Sequence, residues 1–307
     1  MASRLILIPI LSACVFSLCL PGIPKSAVKA SPDSEPPSLL YTAAKHYDPL
    51  AWMRGADRFA SGATIIVSDA QGKHPLVPNF VMSADSAVSF DGQHALFAGK
   101  RNPEDSWQIW EIALAGGEPR RITSGDEDCV RPFYLPEDRV VYARRTAGRF
   151  RVETVSLDGG KPLPLTYGPA NFLPSDVLRD GRILFEAAYP LGTEAIPELY
   201  TVYSDGSGVE SYRCDHGTAR HSGRQVSSGD IVLASTRGLA RFTSPKAQEV
   251  SISVPPGEYA GEVAETAAGD WLMPWRPDPK ATFQLMLWTP GASALRTAVA
   301  EQNADAV

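Results

Sequence analysis

The side chains best suited to chemistry crowd into eight residues, Cys214-Asp215-His216-Gly217-Thr218-Ala219-Arg220-His221. This run holds two of the five histidines of the chain. Two imidazoles beside a carboxylate form a donor set that zinc, manganese or iron accepts. His216 and His221 are therefore candidate metal ligands, with Asp215 or Asp128 as the carboxylate. Without a metal, the same side chains make a ligand- or partner-binding rim. A third reading is a solvated loop in which one histidine hydrogen-bonds a strand end. Four residues between two histidines in a loop fix no geometry, so spacing leaves the three readings open. A second polar run, Asp126-Glu127-Asp128, is followed closely by Arg131 and suits a basic partner or a solvated turn. The candidate binding residues are Asp126, Glu127, Asp128, Arg131, Asp215, His216, Arg220 and His221.

Signatures of other chemistry are missing from the sequence. It has no Gly-x-Ser-x-Gly elbow, so the hydrolase partner of propeller peptidases is not written here. It has no His-Glu-x-x-His, Walker A loop or Gly-x-Gly-x-x-Gly, and no recognisable calcium loop. No catalytic residue and no cofactor is implied. The formal charge is −6, which argues against a nucleic-acid partner, since such a protein shows a basic face.

The elements that must position these residues are repeats. An acidic-glycine turn precedes an apolar strand at Phe90-Asp91-Gly92-Gln93, Pro136-Glu137-Asp138-Arg139, Arg179-Asp180-Gly181-Arg182, Ser228-Gly229-Asp230 and Ala268-Gly269-Asp270. Successive copies lie roughly 40–48 residues apart, the length of a four-stranded propeller blade. Between them fall glycine-rich hairpin turns such as Ala115-Gly116-Gly117-Glu118 and Asp158-Gly159-Gly160-Lys161. Strand-like alternation fills the intervals, as in Trp107–Ile112 and Phe150–Val155. The fold class is all-β, a propeller of four-stranded blades. Six blades fit best, and the markers allow five to seven. Closure is expected from an N-terminal strand, Ala63–Val67, completing the last blade. In this frame both polar runs join the outermost strand of one blade to the innermost strand of the next, on the funnel rim. Trp107, Trp110, Trp271, Trp275 and Trp288 read as blade core.

The segment Ser89–Phe97, with Arg101, Trp107–Trp110 and Arg120–Thr123, resembles the TolB-type Pro-Asp-Gly propeller repeat, with Phe90 in place of the proline. That resemblance covers most of residues 60–300 and implies a six- to eight-bladed propeller, often extracytoplasmic in bacteria. Tyr212–Arg241 also resembles the propeller part of hydrazine-synthase-α-like secreted proteins. Those continue into a haem-binding Cys-x-x-Cys-His, which this sequence lacks, so a haem role is not carried over. The His216/His221 loop is similar in placement to the metal-bearing face of oligogalacturonate-lyase-like propellers. Three functions follow: a non-catalytic interaction module, a metal-assisted polysaccharide lyase or hydrolase, or the propeller of a larger redox protein.

The N-terminus reads as a secretory signal. Arg4 precedes the apolar run Leu5–Leu20, and Val28-Lys29-Ala30 places small residues at −3 and −1. Leu11-Ser12-Ala13-Cys14 also fits a lipobox, and a membrane contact is expected only if Cys14 is lipidated. The expected layout is a signal at 1–30, a tether and lead-in at 31–58, the propeller at 59–300 and a tail at 301–307. The compartment is periplasmic or secreted, the partner a protein or peptide, and the state monomeric. Cys129 and Cys214 are the cysteines of the mature chain, and an oxidising compartment permits them to pair.

Overall fold

Each acidic-glycine turn reverses the chain between the innermost and the second strand of a blade. The structure is a computed structural model describing residues 39–189 and 196–307. The signal, the Cys14 lipobox and the tether to residue 38 lie outside the described residues. Six sheets form the blades, each antiparallel. Blade 2 is β4 (Met82–Val88), β5 (His94–Lys100), β6 (Gln108–Ala113) and β7 (Arg120–Arg121). Blade 3 is β8 (Cys129–Leu135), β9 (Arg139–Thr146), β10 (Arg149–Ser156) and β11 (Leu163–Pro164). Blade 4 is β12 (Asn171–Val177), β13 (Ile183–Tyr189), β14 (Ile196–Val202) and β15 (Glu210–Ser211). Blade 5 is β16 (Arg220–Gln225), β17 (Ile231–Ser235), β18 (Gly238–Thr243) and β19 (Gln248–Ser251).

Blade 6 splits its innermost strand into β20 (Glu258–Tyr259) and β21 (Ala264–Glu265), followed by β22 (Trp271–Arg276), β23 (Gln284–Trp288) and β24 (Arg296–Val299). Blade 1 joins both ends of the described chain. Its order from the axis outward is β25 (Asp305–Ala306), β1 (Leu39–Ala44), β2 (Thr64–Asp69) and β3 (Gly72–Pro75). Closure thus differs from expectation. The segment Ala63–Val67 lies mostly in β2, the third strand of blade 1, and the innermost strand comes from residues expected to be a tail. The lead-in at 31–58 likewise contributes β1 to the sheet. The ring closes in blade 1 by bringing residues 305–307 against Thr42–Ala44, so that strands from both ends of the described chain share one sheet.

Second strands are buried on both faces, because each lies between two neighbouring blades. Ala95-Leu96-Phe97-Ala98 of β5 are all 0% exposed. Runs such as Val140–Ala143 and Ile231–Leu233 repeat this pattern. Trp107 and Trp288 are buried in blade cores, as the sequence suggested, and Trp271 packs on Trp288 edge to face at 5.5 Å. Cys129 and Cys214 do not pair: the first is buried at the start of β8 and the second is exposed. Burial pushes the Cys129 thiol up to about 12.

The connection from β1 to β2, residues 45–63, is the long excursion of the fold. Its one-turn 3-10 helix, Trp52–Arg54, brings Trp52 and Met53 into the largest apolar cluster, beside Phe59, Trp107, Phe150, Leu173 and Ala188. Asn171 donates from Nδ2 to the Met53 carbonyl at 3.1 Å. These partners sit where innermost strands begin and third strands start, so residues 45–63 close that end of the axial channel.

Candidate functional site

The innermost strands share a break in register at one level of the channel. It falls between Ala84 and Ala87 in β4, Val130 and Phe133 in β8, Pro174 and Asp176 in β12, and His221 and Arg224 in β16. In blade 6 the break is the gap between β20 and β21. Each bulge inserts a residue that leaves the ladder and re-aims its side chain. Asp85, Arg131, Ser222 and Glu262 have φ of 54°, 53°, 55° and 56°, a left-handed conformation that costs a non-glycine residue roughly 1–2 kcal/mol. Gly261 makes the blade 6 bulge possible, because a Cβ there would lie 2.4 Å from the Ser222 Cβ.

These bulges bring charge together on the axis. Arg58, from residues 45–63, is 1% exposed and pairs with Asp85 at 3.0 Å and with Glu262. Arg131 lies 3.1 Å from Glu262 and 3.3 Å from Glu186. Glu186 also accepts from the Ser222 amide at 2.8 Å and from the Ser175 hydroxyl at 3.4 Å. Buried guanidinium and carboxylate groups persist only when paired in this way. Burial opposes the charge of Glu262, but Arg58 and Arg131 outweigh it and hold that carboxyl down to about 2. Burial dominates at Asp85 and raises it to about 6 against the pull of the same two arginines.

That shift sets a pH dependence. Asp85 is protonated in the folded chain and ionised in the unfolded chain between about pH 4 and 6. Stability from this group is full below that window and is lost as pH rises through it. His221 works in the opposite sense, because burial lowers its pKa and its neutral form is the folded one. Urea unfolding at pH 4.5 and 6.5 is expected to show a smaller loss on raising pH in Asp85→Asn than in the parent. Equal slopes would mean that Asp85 is solvated.

Beyond this level the channel widens to the face that carries the acidic-glycine turns. A cavity of about 170 Å³ is bounded by Phe59, Asp85, Arg131, Arg224 and Glu262. It shares Phe133, Arg224 and Glu262 with an outer cavity of about 500 Å³, whose rim includes Val88, Phe90, Asp176 and Arg179. Phe90 is 75% exposed and Val88 49%. Arg224 lies over the Phe133 ring at 4.7 Å and reaches Asp176 only at 3.8 Å, so its donors are largely uncommitted.

The residues singled out by type fall into three places. Arg131 and His221 belong to the channel, where His221 Nδ1 lies 3.0 Å from the Ser222 hydroxyl. Asp126, Glu127 and Asp128 lie in the loop from β7 to β8. Asp128 accepts from the Trp107 amide at 3.0 Å and faces Arg145 at 3.4 Å, while Glu127 faces Arg144 at 3.6 Å. Asp126 is exposed and offers its backbone carbonyl to Ser106. Asp215 and His216 lie in the loop from β15 to β16. Hydrogen bonds from Arg213, with the charge of Arg220, hold the Asp215 carboxyl well below the usual carboxylate range. Arg220 is buried between Asp215 and Glu249.

His216 turns to Glu198 at 2.5 Å, away from the partner of His221. Among the described residues, no group of three or more His, Cys, Asp or Glu side chains is placed to hold a metal. Asp128, Asp215 and Arg220 thus anchor their own rim loops, at the end that residues 45–63 cover, while the Asp126 side chain stays exposed. The sequence reading missed Arg58, Asp85, Glu186, Ser222 and Glu262. A signal existed: Asp85, Ser222 and Glu262 each stand seven residues before the glycine of the following turn, and Arg131 stands seven before Asp138.

No protein-family model and no curated protein matches the chain. Solved structures do. Hydrazine synthase from Kuenenia stuttgartiensis superposes with a TM-score of 0.76 at 14% identity, covering 88% of this chain and 46% of that one. The chain therefore spans less than half of that relative. A putative TolB from Agrobacterium tumefaciens gives 0.59 at 14% identity over 85% of this chain and 89% of its own. Oligogalacturonate lyase from Vibrio parahaemolyticus gives 0.54 at 12% identity over 76% and 70%. The same architecture thus occurs in chains named as enzymes and in TolB, and at these identities the likeness is one of fold. This chain is a six-bladed β-propeller related in fold to the TolB-like and hydrazine-synthase-like structures.

Proposed function

We propose that this chain is a non-catalytic binding module of the periplasm or the secreted space, which receives a protein or peptide partner at the open end of its axial channel. One observation carries the reading. The channel is closed by the chain's own residues 45–63 at one end, and at the other it opens through a rim that exposes Phe90 and Val88 beside the uncommitted Arg224. An exposed aromatic next to a guanidinium at a concave site is the composition of a protein-binding anchor. The turns that surround this mouth are short and sit on a rigid ring, so the site needs little ordering when a partner arrives. The metal-assisted reading has less support, since His216 and His221 are committed to different partners.

A photo-crosslinking amino acid placed at position 90, and separately at position 126, tests the site in the full chain in its native host. A discrete adduct is expected from position 90 and none from position 126. Adducts from position 126 alone would move the interface to the covered end and overturn the proposal.

A further inference from the structure

The flank of blade 2 carries a cleft of about 360 Å³, between the connection from β5 to β6 and the loop from β7 to β8. Trp110 of β6 is half-buried in its wall. The indole donates from Nε1 to the Gly99 carbonyl at 3.3 Å and meets the Phe80 ring edge to face at 5.1 Å. Arg101 lies 4.9 Å from the Trp110 ring centre and 5.2 Å from that of Phe80. Arg121 lies 6.0 Å from the Trp110 ring centre. Aromatic contact of this kind holds a guanidinium in place without using its N–H donors.

The charges of this cleft are left unmatched. Arg120, which precedes Arg121 in the chain, pairs with Glu111 and Asp158. The Arg101 guanidinium has neither a hydrogen bond nor an ion pair among the described residues. Arg121 gives Nε to the Thr123 carbonyl at 2.7 Å and Nη2 to that of Gly125 at 3.3 Å, and its Nη1 has no partner among the described residues. Glu104 and Asp126 are exposed on the same cleft, and their carboxylates are likewise unpartnered among the described residues. Asp105 spends its carboxylate on the amides of Arg101 and Asn102 at 3.2 and 2.9 Å. Guanidinium groups and carboxylates thus line one cleft and do not meet. An anionic ligand would face Glu104 and Asp126, and a cationic one would face Arg101 and Arg121, so either net charge is penalised. A hydroxyl escapes both penalties, because one oxygen donates to a carboxylate and accepts from a guanidinium.

We propose that this cleft binds a neutral saccharide. Its hydroxyls donate to Glu104 and Asp126 and accept from Arg101 and Arg121, while a C–H face of a sugar ring covers the exposed part of Trp110. A volume of about 360 Å³ falls at the lower end of ligand pockets, which suits a short chain of sugar units. The cleft shares no lining residue with the outer cavity of the mouth, so this site and the partner site proposed there stand or fall separately.

The test follows the indole Nε1–H resonance of Trp110 in the full chain labelled with ¹⁵N-tryptophan, identified by its loss in Trp110→Phe. The probes are the neutral trisaccharides maltotriose, cellotriose, mannotriose, galactotriose and tri-N-acetylchitotriose. The charged comparators are trigalacturonate and deacetylated chitotriose. At least one neutral probe is expected to move the Trp110 resonance to saturation. The Trp288 resonance, whose Nε1 donates to the Ala292 carbonyl at 2.9 Å in the core of blade 6, should stay in place. Glu104→Ala removes an exposed acceptor, and Arg101→Met keeps the packing on Phe80 and Trp110 while removing the donors. Each should weaken that probe roughly fivefold, and both comparators should bind less tightly than it does. No shift with any neutral probe would overturn the inference. Tighter binding of a charged comparator would do the same, as would an unchanged affinity in both variants, which would place the sugar elsewhere.

Discussion

Asp305→Ala is expected to open the ring, with a loss of roughly 3–5 kcal/mol in unfolding free energy. Asp305 is 3% exposed, and its two carboxylate oxygens accept from the Tyr47 and Phe283 amides at 2.7 Å each. One acceptor thus ties the closing strand to the plug that begins at Tyr47 and to the start of the third strand of blade 6. Alanine leaves two buried N–H groups without an acceptor, and a hydrogen bond to a charged group contributes about 1.5–3 kcal/mol. The two-residue strand β25 has no ladder long enough to hold itself in place. For a ring of this size, the melting temperature should fall by roughly 10 °C. Asp305→Asn keeps one acceptor and should lose less. Calorimetry on the three proteins measures both effects. A loss under about 1 kcal/mol for the alanine variant would mean that blade 1 stays closed without its inner strand.

The features legible in the sequence were those fixed by short-range chemistry. Gly92, Gly181, Gly229 and Gly269 take positive φ at the turns between first and second strands, and their spacing marked the blades before any contact was known. Closure was not legible in this way. Asp305-Ala306 has no alternation to announce a strand, and its pairing exists only because the ring returns the chain to β1. The plug was written in Tyr47, Trp52, Phe59 and Arg58, but a segment with one helical turn shows no period. The candidate residues were only partly brought together, for a related reason. Residues were chosen by chemical type, so Asp128 and Asp215 drew attention although the fold spends them on pinning loops. A reading of period two cannot see a bulge, and the bulge is what turns Asp85, Arg131 and Glu262 into the channel.

Arg58→Met is expected to cost about 3–5 kcal/mol, more than its side-chain volume alone explains. The guanidinium lies 5.0 Å from the Tyr47 ring centre and 5.5 Å from that of Trp52, so methionine replaces much of the packing. It does not replace the charge. Glu262 keeps Arg131 at 3.1 Å, but Asp85 loses the guanidinium that faces it at 3.0 Å. The Asp85 pKa should then rise further, and the fall of stability with pH should extend to higher pH than in the parent. Removing both partners tests whether the unpaired charge is the cause. Arg58→Met with Asp85→Asn should be more stable than Arg58→Met alone near pH 7, although it carries one more substitution. Urea unfolding of the parent, both single variants and the double variant at two pH values closes the cycle. A double variant less stable than Arg58→Met would show that Asp85 is already solvated once Arg58 is gone. Water would then reach the axis past residues 45–63, and the channel could not be a blind one with a single open end.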